Sequence, residues 1–192
     1  RLTSGARNTL IGTGAGDALT SGTENVALGH AALSTNTLGQ RAVAIGFYAL
    51  NAQTNAAGVN TYNTAVGAMA GEKVTTGYNN TLIGGLAGDA ITTGHSNSVL
   101  GVSVLSSNTT GTYNIALGIS ALQSNTTASF NTAVGSRVLV LNTIGANNTA
   151  SGYQAMFNNT TASNNTALGY YALYANTTGA SNVAIGALAL DA

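Results

Sequence analysis

The stretch Asn114-Ile115-Ala116-Leu117-Gly118 returns seventeen residues later as Asn131-Thr132-Ala133-Val134-Gly135, then as Asn148-Thr149-Ala150-Ser151-Gly152 and Asn165-Thr166-Ala167-Leu168-Gly169. Outward from this block, the closing glycine recurs at 12, 29, 46, 67, 84, 101, 118, 135, 152, 169 and 186. Every interval is 17 residues except that from Gly46 to Gly67, which is 21. A fixed period of this size marks a solenoid, in which each repeat is one structural unit stacked on the next. With the Asn of the motif as column zero, that column runs from Asn8 to Asn182 and is broken only by Ala42. Columns zero to four place Asn and Ala on one side, and Thr or Val and an aliphatic residue on the other, which is the period-two pattern of a strand. The sequence therefore predicts an all-β chain, a parallel β-solenoid of eleven 17-residue coils that forms one domain over residues 1-192. At about 4.8 Å per rung, eleven coils make a rod on the order of 50 Å long. The Asn column is expected to form a buried amide ladder, each amide donating to the next coil, and Gly at column four to mark the bend that ends the strand.

The second half of the repeat carries a trade between two columns. Column eight is Leu or Met where column eleven is Asn or Gln, as in Leu105 with Asn108 and Met156 with Asn159. Where column eight is Gly, as at Gly16, Gly71 and Gly88, column eleven is Leu19, Val74 or Ile91. Residues three apart share a face in a helical turn and not in a strand, so a short helical turn is predicted here. Column twelve is Thr from Thr20 to Thr177, usually with Gly two residues on, which is turn chemistry with the hydroxyl capping backbone groups. The four extra residues lie within Asn51 to Tyr62 and are expected to bulge outward, because Thr54 still holds column twelve and Asn63 resumes column zero. Phe47 and Tyr48, on the same coil, suggest a secondary contact site there.

Composition narrows the function. Charged residues make up 5% of the chain, net charge is zero, and five Lys and Arg are too few to follow a phosphate backbone, so nucleic acid is not an expected partner. Cysteine is absent, which removes disulfides and thiolate chemistry. No apolar run reaches the roughly 18 residues of a membrane span, and insertion into a membrane is not expected of this segment. Catalysis needs titratable groups brought together. His30 and His95 fall in different columns about four coils apart, so no histidine-based triad or zinc site follows, and neither a cofactor nor a catalytic residue is assigned. Asp17, Glu72 and Asp89 share column nine, where each is read as a turn cap, with Lys73 beside Glu72. Glu24 and Arg41 share column sixteen on neighbouring coils and are expected to pair, for about 0–1 kcal/mol. Gly12, Gly14 and Gly16, and the pair Gly84-Gly85, lack the lysine and long helix of a phosphate loop and read as column glycines. The Asn-Thr-Thr strings at Asn108, Asn125, Asn159 and Asn176 match a glycosylation acceptor, but their period makes them turn residues first.

The strings Asn25-Val-Ala-Leu-Gly29, Ala42-Val-Ala-Ile-Gly46 and Asn182-Val-Ala-Ile-Gly186 resemble the head repeat of YadA-like trimeric autotransporter adhesins. Coils completed by Asn-Thr-Thr-Gly are similar to those of trimeric phage and virus fibre proteins. The resemblance implies a left-handed β-roll, a homotrimer about a central axis, an extracellular place on a bacterial surface or virion fibre, and attachment to a host glycan or protein. The repeat is longer than that of the usual adhesin head. An independent physical reason points to association: a thin coil buries little apolar area, at about 1.5–3 kcal/mol per aliphatic side chain, against about 1–2 kcal/mol per residue of backbone ordering. Two other roles remain open, an ice-binding solenoid with Thr-rich columns twelve and thirteen, and a passive spacer within a fibre.

A candidate ligand site lies toward the C-terminal end, where Tyr153, Phe157, Tyr170, Tyr171 and Tyr174 fall within 22 residues. Tyr153 and Tyr170 share column five, and Phe157 and Tyr174 share column nine, so two aromatic ladders are expected side by side. Aromatic faces beside Asn158 and Asn176 suit a sugar, whose C–H face stacks while its hydroxyls pair.

Overall fold

Each copy of the motif forms one strand of three residues. In chain order these are β1 (Thr9–Ile11), β2 (Val26–Leu28), β3 (Val43–Ile45), β4 (Thr64–Val66), β5 (Thr81–Ile83), β6 (Ser98–Leu100), β7 (Ile115–Leu117), β8 (Thr132–Val134), β9 (Thr149–Ser151), β10 (Thr166–Leu168) and β11 (Val183–Ile185). The structure, a computed structural model, describes residues 3–56 and 58–191. The strands make a single parallel sheet in sequence order, so every coil touches only the coil before and the coil after. Pairing follows the repeat register: Thr166 lies opposite Thr149 and Val183, and Ala167 opposite Ala150 and Ala184. The long interval does not disturb it, since Val43 pairs with Thr64 and Ile45 with Val66.

The extra residues do bulge outward. Ala56, Gly58 and Val59 are exposed, and the chain rejoins the stack where Thr61 N–H donates to Gln40 O at 2.9 Å. Thr54 N–H donates to Thr75 O, holding its expected column. Ala57 lies outside the described residues.

Strand alternation settles the two faces. The Ala side, for example Ala27, Ala44 and Ala133, is buried, while the column-three aliphatics Ile11, Leu100 and Ile185 are about half exposed or more. The interior of a coil is thus narrow, filled by one alanine from the strand, an Ala or Val at column seven such as Ala32, and one larger side chain such as Leu33.

The predicted helical turn is absent; the described residues contain no helix. Columns six and eight take left-handed backbone in every coil, as in Ala31 (φ 53°) and Leu33 (φ 54°). They belong to two successive tight turns, columns four to seven and eight to eleven, closed by Ala32 N–H to Gly29 O and Asn36 N–H to Leu33 O. The intervening amides reach the neighbouring coil, as Leu33 N–H does to Ala49 O at 3.0 Å. Left-handed residues alternating with right-handed ones bring columns eight and eleven to the same side, the geometry that the trade between them required, without a helix. Each such non-glycine residue costs roughly 1–2 kcal/mol, offset here by hydrogen bonds between coils. Glycine is needed at column four for a further reason: at Gly29 (φ 131°) a Cβ would sit 2.6 Å from Gly46 O on the next coil.

Candidate functional site

Two polar ladders fix the spacing on which the surface chemistry depends. In the column-zero ladder Asn25 N–H and Nδ2 both donate to Asn8 Oδ1, at 2.9 and 3.1 Å, and Nδ2 also donates across the coil to Gly39 O. The amides therefore donate to the preceding coil, opposite to the expected direction. A second ladder at column eleven was not anticipated: Asn125, Asn142 and Asn159 each donate Nδ2 to the Asn Oδ1 of the coil before, at 3.0, 2.9 and 2.8 Å. Both ladders converge on the column-fourteen carbonyl, as Asn131 and Asn142 do on Gly145 O. Asn108, Asn125 and Asn159 are fully buried in this network, which makes them structural. Thr hydroxyls of column twelve add a third set of stitches, Thr92 Oγ1 to Thr109 O and Thr126 Oγ1 to Thr143 O at 3.1 Å. Those hydroxyls are committed as donors within the rod and do not form a free array.

On this frame the five C-terminal rings come together as the register requires. Tyr153 stacks on Tyr170 at 5.8 Å between centroids, and Phe157 on Tyr174 at 5.6 Å. Tyr171 joins the two ladders, 4.4 Å from Tyr170 and 4.7 Å from Tyr174, tilted to both by 52° and 41°. Arg137 lies over Phe157 at 5.7 Å, a cation–π contact that places one positive charge at the edge of the cluster. Burial among the rings, with Tyr170 next, holds the Tyr171 hydroxyl above its usual pKa. The stacked rings of each ladder turn their faces to one another along the rod. A ligand arriving from the side meets ring edges, hydroxyls and the tilted Tyr171.

Two further aromatic groups lie elsewhere. Phe47 and Tyr48 pack with His30 of the preceding coil, at 5.5 and 5.6 Å. On the other side of the strand, Tyr78 stacks on His95 at 4.6 Å and Tyr113 on Phe130 at 5.1 Å, and the two stacks join where His95 meets Tyr113 edge-on at 5.3 Å. The stack was missed because it changes column midway: Tyr78 and His95 stand in column fifteen, Tyr113 and Phe130 in column sixteen. The seventeen-residue spacing inside each pair was the available signal.

The stack continues, toward the N-terminus, a row of charges in column sixteen. Glu24 pairs with Arg41 at 2.7 Å, as expected, and with Arg7 at 3.2 Å, and Arg41 donates to Tyr62 Oη at 2.9 Å. The hydrogen bond from Arg41 holds the Glu24 carboxyl below its ordinary pKa. Asp89 does not cap its turn in full, since Oδ1 is buried without a partner and burial pushes its pKa up. Among the described residues no three His, Cys, Asp or Glu side chains cluster as metal ligands, and no helix is long and apolar enough to cross a membrane. No protein family, no curated protein and no solved structure matches the chain.

Proposed function

We propose that the chain is a trimeric rod for attachment, an adhesin head or fibre segment that holds a host glycan or protein at a regular lateral surface outside the cell. The observation that carries this reading is the outward face of the sheet. On ten of the eleven rungs it offers aliphatic side chains outward, including Ile83, Leu100 and Val134, with Ser151 the exception on β9, and an apolar stripe of that length is the mark of an interaction surface. Three copies closing around it give a stiff fibre, with the left-handed winding that the resemblance implies. The C-terminal ring cluster then offers the best seat for a ligand, since Tyr171 and Tyr174 combine apolar rings, hydroxyls and the nearby Asn158.

Sedimentation equilibrium of the whole chain at micromolar concentration is expected to give the mass of a trimer, and a monomer would sink the assembly. A Tyr171→Ala, Tyr174→Ala variant is expected to stay trimeric and lose binding to a glycan array or to cells. If it binds as the parent does, the cluster is structural. If the parent itself binds nothing, the rod is a spacer.

A further inference from the structure

We infer that the copies associate level by level, the column-sixteen edge of each strand seated against the column-five edge of the next copy on the same rung, so that the exposed edge aromatics form the seams of the assembly. The inference rests on the trimeric reading and adds to it a register and a set of partners. It starts from symmetry. A rotation axis along the rod carries no translation, so equivalent rungs of all copies lie at one height. Strands run across the rod, and the end of one then meets the start of the next.

The residues at those two edges are complementary. On β4 and β8 a bulky start faces a small end, Tyr62 with Ala68 and Phe130 with Ser136, whereas on β3 both edges, Arg41 and Phe47, are large. On β9 and β10 the order reverses, with Asn147 and Asn164 at the start and Tyr153 and Tyr170 at the end. On β2 the edges carry Glu24 and His30, and on no rung do both edges carry an aromatic ring or charges of one sign. Tyr113 and Ile119 on β7 are both large, an aromatic against an aliphatic side chain. Within one chain the whole strand separates the two edges, so the alternation serves no packing there. Between neighbouring copies it puts one ring in the seam on β4, β8, β9 and β10. Tyr62, Phe130, Tyr153 and Tyr170 are all exposed in the single chain, as a seam residue must be.

The dimensions fit three copies. The five strand columns between the two edges, zero to four, span about 17 Å at about 3.3 Å each. Three sides of that width put each sheet about 5 Å from the axis, half the roughly 10 Å at which sheets pack face to face, so the column-three aliphatics meet at the centre. Four sides would leave each sheet about 8 Å from the axis and the core open. The face of each copy, eleven rungs at about 4.8 Å, offers about 900 Å², shared between its two neighbours. The seam takes up Tyr153 and Tyr170 and leaves Tyr171, Phe157 and Tyr174 on the outside.

The test uses the full chain, which has no cysteine of its own. Asn79→Cys with Gly85→Cys places thiols on the two edges of one rung; Asn79 is exposed, and nothing lies within 4 Å of where the Gly85 side chain would grow. One strand keeps these positions too far apart for a disulfide, which needs Cα atoms within about 7 Å. Oxidation is expected to give covalent trimers on a denaturing gel, reversed by reductant. Ser181→Cys with Ala187→Cys on the last rung is expected to behave alike, and guards against a local defect at either site. Asn79→Cys with Ile119→Cys, two rungs out of level, is expected to stay uncrosslinked. Crosslinking of the offset pair in place of the level pairs overturns the inference, as does a closed covalent dimer. Failure of both level pairs in a chain that sediments as a trimer overturns the seam alone, whereas a monomer overturns the trimeric reading with it.

Discussion

Gly84 has φ 130°, and a Cβ there would run into Gly101 O on the next coil, whereas Gly85 has no left-handed backbone and open space around it. The two stand side by side in sequence, and only the stacking of coils distinguishes them. Gly84→Ala is expected to destabilise the chain by about 2–5 kcal/mol, strain and overlap together, and Gly85→Ala by no more than about 0.5 kcal/mol. Thermal melts followed by circular dichroism separate the two outcomes, and equal melting temperatures would mean that the coils can spread apart at column four. The same contact logic explains why bulky residues tolerate left-handed backbone at column sixteen, where Tyr62, Tyr113 and Phe130 have φ between 47° and 61°. A β-branched or aromatic residue there is a strained outlier in isolation. Here every coil has the same conformation at that position, so the amide that follows it can join the Asn ladder.

Within one coil the space inside is filled in more than one way. Leu33 of column eight serves with Ala27 and Asn36, while in the coil of β5 the same space is taken by Leu82, Gly88 and Ile91. A Cβ on Gly88 would lie 2.7 Å from Ile91 Cδ1 and 2.9 Å from Leu82 Cδ2. Column two therefore takes part in the trade on β1 and β5, with Leu10 and Leu82, though not on β4, where Ala65 stands with Gly71 and Val74. This three-way exchange was only half legible in the sequence: columns eight and eleven vary together, but Leu82 looks like an ordinary strand residue. The helical turn was misread because columns three apart share a side both in a helix and in alternating left- and right-handed turns, and residue identity does not tell them apart. The column-eleven ladder stayed hidden because Asn before Thr-Thr-Gly already has an explanation as a turn residue. The strands, by contrast, could be placed from the period alone, since one residue of slip would turn every Ala outward. The five C-terminal rings could be placed for the same reason. Converting the coil of β6 to the other filling tests the exchange. Leu105→Gly alone empties a fully buried site, at about 2–5 kcal/mol, less about 1 kcal/mol for relief of its left-handed backbone. Leu105→Gly with Asn108→Ile is expected to recover most of that loss, since Asn125 Nδ2, deprived of Asn108 Oδ1, keeps Ala128 O at 3.0 Å. A double variant that melts no higher than the single one would show that the column-eleven ladder outweighs the apolar filling.

Along the rod, stability is a sum of coils and of contacts between neighbours, and one coil is weaker than the rest. The bulge and Ala42 belong to it. Ala42 N–H ends the first Asn ladder by donating to Asn25 Oδ1 at 2.9 Å, and the ladder restarts at Asn63, whose Nδ2 donates to Gln53 Oε1 at 3.0 Å. Gln53 Nε2 and Asn55 Oδ1 are left buried without partners. Elsewhere the coils are interchangeable, which permits a test at the level of the whole molecule. Deleting residues 114–130 removes one period and joins Tyr113 to Asn131, column sixteen to column zero. Asn131 N–H would then find Asn97 Oδ1, the oxygen to which Asn114 N–H now donates at 3.0 Å. Thr109 would find Thr143 O in place of Thr126 O, and Ala133 would pair with Val99 as Ala116 does now. The shortened chain is expected to fold, to lose one coil's share of stability, and to be shorter by about 5 Å in small-angle scattering. Removing residues 114–131 instead leaves a coil one residue short, with no excess that can bulge outward as Gly58 and Val59 do. To keep the stack, the four strands that follow would shift by one residue, turning alanines outward and aliphatics inward, and they are expected not to join it. If the eighteen-residue deletion were as stable as the seventeen-residue one, the column register would not govern the stack; if both unfolded, the coils would be coupled beyond their nearest neighbours.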